Sequence, residues 1–219
     1  PSHIEIVIAV GHKHKQVESY VQSVFCDRKI DFAHVENYDG EGSGPGYSLL
    51  QCKEYLQTPF IFTSADTIVK EVEMLDSLEE NWLGVSHIDP NESSKYCLAD
   101  GNEYLEKLYY GRGERAYIGM AGVHDYASYW KHLEDGNYSH GEYQVISGFK
   151  GLKDVRLLDF PWFDTGNNES YESARKNFSN EVVAVKNKEV VFIEGDKVIK
   201  YFDDSEKVEK RIERVKYLQ

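Results

Sequence analysis

Phe60-Ile61-Phe62-Thr63-Ser64-Ala65-Asp66 is a short apolar run closed by a single acid, and Thr58-Pro59 stands before it. Proline suits the first residue of a strand, because it has no N–H to offer a ladder. The run reads as a buried strand of an α/β sheet. Asp66 then falls at the strand's carboxyl end, the edge at which open α/β sheets bind ligands. An acid in that place suits Mg²⁺ carrying a phosphate. It suits equally the role of cap for a following helix, which is expected over residues 72–78.

On the amino-terminal side, residues 4–10 are rich in β-branched side chains and read as a strand that Gly11 ends. The basic group His12-Lys13-His14-Lys15 opens a helix over residues 16–25, with Val17, Tyr20, Val21 and Val24 on one face. That basic group reads as a solvated face or as a contact for phosphate. A second strand is expected over residues 29–38. Asp39-Gly40-Glu41-Gly42-Ser43-Gly44-Pro45-Gly46 follows and feeds a helix over residues 47–56. Such a loop lets backbone approach a ligand closely and ends at a helix N-terminus, which suits a phosphate or a nucleotide; a flexible surface loop is the plainer alternative. It is no P-loop, because Gly-Lys-Ser/Thr is missing.

On the carboxyl side, a strand is expected over residues 82–88. A hairpin follows around Asp100-Gly101-Asn102, pairing residues 95–100 with 103–109. A further strand runs over residues 117–123, thinned by Gly119 and Gly122. Those glycines suit either a floor under a substrate or close packing against another backbone. Helices are expected over residues 126–133 and 136–149, the second holding Glu142, Tyr143 and Gln144. A late strand over residues 155–160 runs into Pro161-Trp162-Phe163-Asp164-Thr165-Gly166-Asn167, where an acid again closes an apolar stretch. A helix over residues 170–178 comes next. Two short strands around Glu194-Gly195-Asp196 and an amphipathic helix over residues 205–218 complete the chain, and Ser205 is its expected N-cap. A boundary near Val185 divides a core of residues 1–185 from a hairpin and helix over 186–219.

Composition narrows the function. With 41% hydrophobic residues, the chain can build a substantial core. A formal net charge of −13 argues against non-specific nucleic-acid binding and against an anionic membrane surface. It does not argue against phosphate-bearing substrates, since a bound divalent ion reverses the local sign. Cys26, Cys52 and Cys97 are scattered without a CxxC and read as reduced, mostly buried thiols of a cytoplasmic protein. Asp66 and Asp164, each at the end of a strand-like run, suit a shared Mg²⁺ held between phosphates.

The order and spacing of these pieces resemble the nucleotidyltransferase family, the sugar-1-phosphate and choline-phosphate nucleotidylyltransferases. The resemblance rests on Ile6 to Gly11 before a helix, Gly44-Pro45-Gly46, Ser64-Ala65-Asp66, Tyr117-Ile118-Gly119 with Gly122, Glu142, and Trp162-Phe163-Asp164-Thr165-Gly166-Asn167. It covers about residues 4–178. It implies an α/β fold, a Rossmann-like GT-A type core with a mixed sheet, followed by the C-terminal β-hairpin and helix. It implies Asp66 and Asp164 as the catalytic pair and the Mg²⁺ ligands. Gly44, Pro45, Gly46, Ser64 and Ala65 fall on the nucleotide side; Gly119, Glu142, Tyr143 and Gln144 fall on the acceptor side. The implied partners are a nucleoside triphosphate and a small phosphorylated acceptor. The tail, Val190-Val191-Phe192-Ile193 through Lys197 to Phe202, resembles the opening hairpin of a choline-kinase-like phosphotransferase domain, and this favours CTP and an acceptor such as phosphocholine. Sugar-1-phosphate transfer, a GT-A glycosyltransferase and a non-catalytic nucleotide-binding module are the alternatives; a homo-oligomer or a fused kinase domain stays open. The family's opening strand and Gly-rich signature have no counterpart here. We therefore expect a longer gene product, or a second polypeptide that supplies the strand, and weak nucleotide binding by the 219 residues alone.

Overall fold

The computed structural model describes residues 4–70, 79–136, 138–139, 142–177, 182–186, 189–194, 197–202 and 205–216. The helix expected over residues 72–78 lies outside them.

The chain opens with β1 (Ile6–Val10), α1 (His14–Val24) and β2 (Ile30–His34). β1 and β2 pair in parallel, Ile6 opposite Ile30 and Val10 opposite His34, as a helical crossover between them requires. α1 buries Val21 and Val24, whereas Val17, expected on the same face, is 39% exposed. Next come α2 (Pro45–Gln51) and a 3₁₀ turn, Lys53–Tyr55. Proline at the first helical position costs nothing, because that N–H has no partner in the helix.

The deciding run forms β3 (Phe60–Thr63), and a turn through Asp66 leads into β4 (Thr67–Val69). β5 (Trp82–His87), β6 (Leu98–Asp100), β7 (Lys107–Tyr109) and β8 (Arg115–Val123) follow. α3 (Tyr126–Glu134) leads to β9 (Tyr138–Ser139) and β10 (Glu142–Tyr143), and then to a 3₁₀ segment, Val145–Gly151. β11 (Arg156–Asp159), β12 (Trp162–Asp164) and α4 (Asn168–Asn177) close the core. The tail is a three-stranded meander, β13 (Val182–Lys186), β14 (Glu189–Glu194) and β15 (Lys197–Phe202), followed by α5 (Ser205–Lys216).

The central sheet is mixed. β11 and β5 run parallel, β5 and β8 antiparallel. β8 carries β5 along one edge. On its other edge it carries β3 opposite Met120–Val123 and β6 opposite Ala116. β5 reads Trp-Leu-Gly-Val because both faces of the sheet are covered there, and its first four residues are all buried. Under one face, Leu83, Val85, Ala121 and Val123 meet Tyr129, Trp130 and Leu133 of α3. Phe60 stacks on Trp130, with ring centroids 5.1 Å apart. Under the other face, Trp82, Ile118, Met120 and Phe160 form a second cluster, against which Val69 of β4 and Trp162 of β12 pack. This second cluster is what holds the Asp66 turn down on the sheet.

Three expectations need correction. β3 is not a buried strand: only Phe60 is buried, and Ile61 is 37% exposed. Its one strand neighbour among the described residues is β8. The helix expected over residues 136–149 is instead the short β9–β10 pair and a 3₁₀ segment. There Tyr143 N–H donates to Ser43 carbonyl at 2.8 Å, a bond that an α-helix would take for itself. Lastly, Ser93–Lys95 is a 3₁₀ turn, so the first hairpin strand starts only at Leu98.

Candidate active site

β4 and β12 frame the site. Thr67 pairs with Asp164, which brings Asp66 and Thr165 side by side at the end of that antiparallel ladder. Thr165 holds Asp66 by its backbone: its N–H and its Oγ1 both donate to the Asp66 carbonyl, each at 2.9 Å. The turn is pinned from below. Ser64 N–H donates to Gly119 carbonyl at 2.8 Å, and Thr67 Oγ1 donates to Ile118 carbonyl at 2.5 Å. Gly119 has φ +77, and a β-carbon on it would lie 2.6 Å from Ser64 Oγ. Only glycine suits both that backbone and that approach.

The two carboxylates converge on Gly166. A β-carbon there would lie 3.0 Å from Asp66 Oδ2 and 3.2 Å from Asp164 Oδ1. Asp164 is oriented by three donors. Gly166 N–H reaches Oδ1 at 2.8 Å, and the hydroxyls of Tyr96 and Ser170 each reach Oδ2 at 3.4 Å. Asn167 caps α4, its Oδ1 accepting the Ser170 N–H at 2.9 Å, so the helix start fixes Ser170 beside the acid. Burial, then the charges of Asp164 and Glu92, and then the hydrogen bond to Asp164 raise Tyr96 above the ordinary tyrosine range. Tyr96 therefore stays a protonated donor at neutral pH. Among the described residues no hydrogen bond to the Asp66 side chain is made, and that carboxylate is exposed. Two hard oxygen donors, one held and one free, are what Mg²⁺ uses when substrate phosphates and water complete its shell.

A second group forms around the glycine loop. Gly44 caps α2 at φ 128, Pro45 follows, and Tyr143 crosses both neighbouring glycines. A β-carbon on Gly44 would lie 2.8 Å from Tyr143 N and O, and one on Gly46 would lie 2.7 Å from Tyr143 Cδ1. Close packing against β10 thus accounts for both glycines. Tyr143 is buried, and its hydroxyl donates to the carbonyls of Leu133 and Glu134. It anchors the loop. Glu142, beside it, is exposed, and Gln144 Nε2 donates to Glu142 Oε2 at 3.4 Å. The residues expected in the site therefore fall into two clusters: Ser64, Ala65, Asp66, Gly119 and Asp164 in one, Gly44, Pro45, Gly46, Glu142, Tyr143 and Gln144 in the other. A surface hollow of about 620 Å³, lined by Pro59, His124, Tyr126 and Lys153, lies at the opposite end of β3 from Asp66.

No family model matches the chain, and no curated protein matches it. Solved structures do. A UDP-glucose pyrophosphorylase complexed with UDP-glucose superposes with a TM-score of 0.67 at 15% identity, over 80% of this chain and 80% of that one. The CTP:phosphocholine cytidylyltransferase of Streptococcus pneumoniae gives 0.61 at 14% identity, over 81% and 80%. A protein assigned as a glucose-1-phosphate thymidylyltransferase of Bacillus anthracis gives 0.63 at 14%, over 85% and 79%. The fold is a nucleotidyltransferase-type core. Identities this low speak to the fold alone.

Sequence reasoning missed Tyr96, Ser170 and Thr165 as supports of the acid pair. Ser170 and Thr165 carried a local signal, since both sit within six residues of Asp164. Tyr96 carried none: it reaches Asp164 from 68 positions away. Among the described residues no helix is long and apolar enough to cross a membrane.

Proposed function

We propose that this chain forms the core of a Mg²⁺-dependent nucleotidylyltransferase, joining a nucleoside triphosphate to a small phosphorylated acceptor and releasing pyrophosphate. The observation that carries this reading is the convergence of Asp66, in the turn before β4, and Asp164, at the end of β12, on Gly166 in a nucleotidyltransferase-type fold. An oxygen of the acceptor's phosphate attacks the α-phosphorus in line. A new P–O–P bond forms as the α–β bond breaks, and both electrons of that bond leave with pyrophosphate. The acceptor phosphate is already ionised, so no protein nucleophile or general base is needed. The protein's part is positioning and charge stabilisation.

Mg²⁺ bound by Asp66 and Asp164 would supply positive charge to the phosphates as that bond breaks. Tyr96 and Ser170 hold the Asp164 carboxylate, and Thr165 holds the Asp66 backbone. Gly166 leaves the space between the acids open to an ion. Gly44, Pro45, Gly46, Ser64 and Ala65 fall to the nucleotide side and Gly119, Glu142, Tyr143 and Gln144 to the acceptor side, with Gly44, Gly46, Gly119 and Tyr143 acting through the packing that positions their neighbours.

CTP with an acceptor such as phosphocholine is the favoured pair, supported by the resemblance of the tail hairpin to a choline-kinase-like domain. A sugar 1-phosphate is the competing acceptor, supported by the likeness of the fold to UDP-glucose pyrophosphorylase, whose TM-score of 0.67 is above the 0.61 of the phosphocholine cytidylyltransferase. Pyrophosphate release by the full gene product, with CTP, UTP or dTTP against phosphocholine or glucose 1-phosphate, tests both. Mg²⁺-dependent pyrophosphate from CTP and phosphocholine is the expected result. No pyrophosphate here, but release of a nucleoside diphosphate once a nucleotide-sugar donor is supplied, would make it a glycosyltransferase, and binding without product would make it a sensor; either overturns the proposal.

A further inference from the structure

A second group of ligating side chains lies in the β1–α1–β2 unit, outside the acid pair. His14 is the first residue of α1, Glu18 stands one turn later on the same face, and His34 is the last residue of β2. One ligand atom from each lies within 4.8 Å of the other two. Glu18 Oε1 is 3.6 Å from His34 Nε2, and the His14 and His34 rings meet edge to face with centroids 5.2 Å apart. Among the described residues, groups of three or more acids, histidines and cysteines with this spacing occur at this one place.

The 3.6 Å contact between Glu18 and His34 explains part of the arrangement. It does not explain Glu18 Oε1, which is buried and makes no hydrogen bond. Buried carboxylate oxygens are ordinarily satisfied by a donor, and 3.6 Å is beyond one. Nor does the pair explain His14, whose ring is brought against His34 while the nearby His12 turns to Tyr38, centroids 5.8 Å apart.

We propose that His14, Glu18 and His34 form a binding site for a divalent transition-metal ion, Zn²⁺ in the first instance. Two imidazoles and one carboxylate are the donor set of three-ligand zinc sites, which keep a fourth position for water. Nitrogen donors disfavour Mg²⁺ and Ca²⁺, so this site and the acid pair do not compete for one ion. A tetrahedral ion about 2.0–2.1 Å from each donor spaces its donors roughly 3.4 Å apart. The Glu18–His34 separation already matches this, and His14 needs only a side-chain adjustment. The ion ties the first turn of α1 to the end of β2. It also gives the buried Glu18 Oε1 the close contact that His34, 3.6 Å away, does not.

Titration of the chelator-treated protein with ZnCl₂, followed by calorimetry and by thermal unfolding, tests the site. One equivalent should bind and raise Tm. His14→Ala, His34→Ala and Glu18→Gln should each weaken binding by at least about tenfold, the loss that even an outer-shell partner causes. His87→Ala and Cys26→Ser, at an imidazole and a thiol elsewhere on the surface, should bind as the parent does. Glu18→Gln, nearly isosteric, separates ligand loss from misfolding, and unchanged metal-free Tm checks this. Absence of a one-equivalent Zn²⁺ site, or affinity unchanged by Glu18→Gln and His34→Ala, overturns the proposal. Neither outcome depends on pyrophosphate release.

Discussion

Asp66→Asn should move stability in opposite directions with and without Mg²⁺. The carboxylate oxygens flanking Gly166 can be no further apart than its two contact distances laid end to end. At such a spacing, about 6 Å, two unit charges repel by about 0.7 kcal/mol in water-like surroundings. Asp66 is exposed and its side chain makes no hydrogen bond among the described residues, so asparagine removes the charge and little else. Without divalent ions the variant should be more stable than the parent by that amount, or about 2 °C in Tm for a chain of this size. With Mg²⁺ at about a hundred times its dissociation constant, the parent gains about 2.7 kcal/mol by linkage. The variant, with one ligand left, should gain little, and the order reverses. Pyrophosphate release should fall by about a hundredfold or more, the scale of losing one charge-stabilising group. Thermal unfolding in EDTA and in a Mg²⁺ series reads the first two effects. Equal Mg²⁺ stabilisation of parent and variant would refute the assignment of Asp66 as a ligand.

Gly122→Ala puts a methyl 2.0 Å from Trp82 Nε1 in the second cluster, so the indole must move, and urea unfolding should show a loss of about 2–3 kcal/mol. Asn81→Ala removes a buried amide that accepts the N–H groups of His124 and Asp125, at 2.9 and 3.0 Å, and donates to Asp125 Oδ2 at 2.7 Å. It should cost about 2–4 kcal/mol by the same measurement. In the folded protein at pH 8, Ellman's reagent should titrate exposed Cys26 quickly, half-buried Cys97 slowly, and buried Cys52 only on unfolding. Burial pushes the thiols of Cys52 and Cys97 up to about 11. The folded state therefore keeps protons that the unfolded state releases, and stability is lost as pH rises from about 9 to about 11. The urea midpoint should fall across that window, by an amount worth about 1–2 kcal/mol per thiol.

What the sequence made legible was local. A β-branched run gave β1, apolar stretches gave β5 and β8, the Glu194-Gly195-Asp196 signature gave β14 and β15, and the two acids stood out because each closes an apolar run. What stayed hidden was set by distant neighbours. Residues 142–149 have a helix-compatible pattern, but β10 is held by Ser43 and crosses Gly44 and Gly46. Gly119 and Gly122 read as a thinned face; in the fold one clears Ser64 and the other Trp82. His14 belonged to a basic group at a helix start, and its relation to His34 depends on the parallel register of β1 and β2. The exposure of β3 was also illegible, because an apolar run does not say how many neighbours its strand will have.

The pairing of Thr67 with Asp164 fixes when the acid pair can exist during synthesis. The ribosome delivers Asp66 early, but its partner strand only after β5, β8 and α3 have been made. No nascent fragment that stops short of residue 164 can hold an ion there by both carboxylates. The intervening chain must also be gathered in first, since closing so long a loop is opposed by entropy until packing rewards it. The acid pair thus requires β12 to have docked on β4, and its appearance would report that contact.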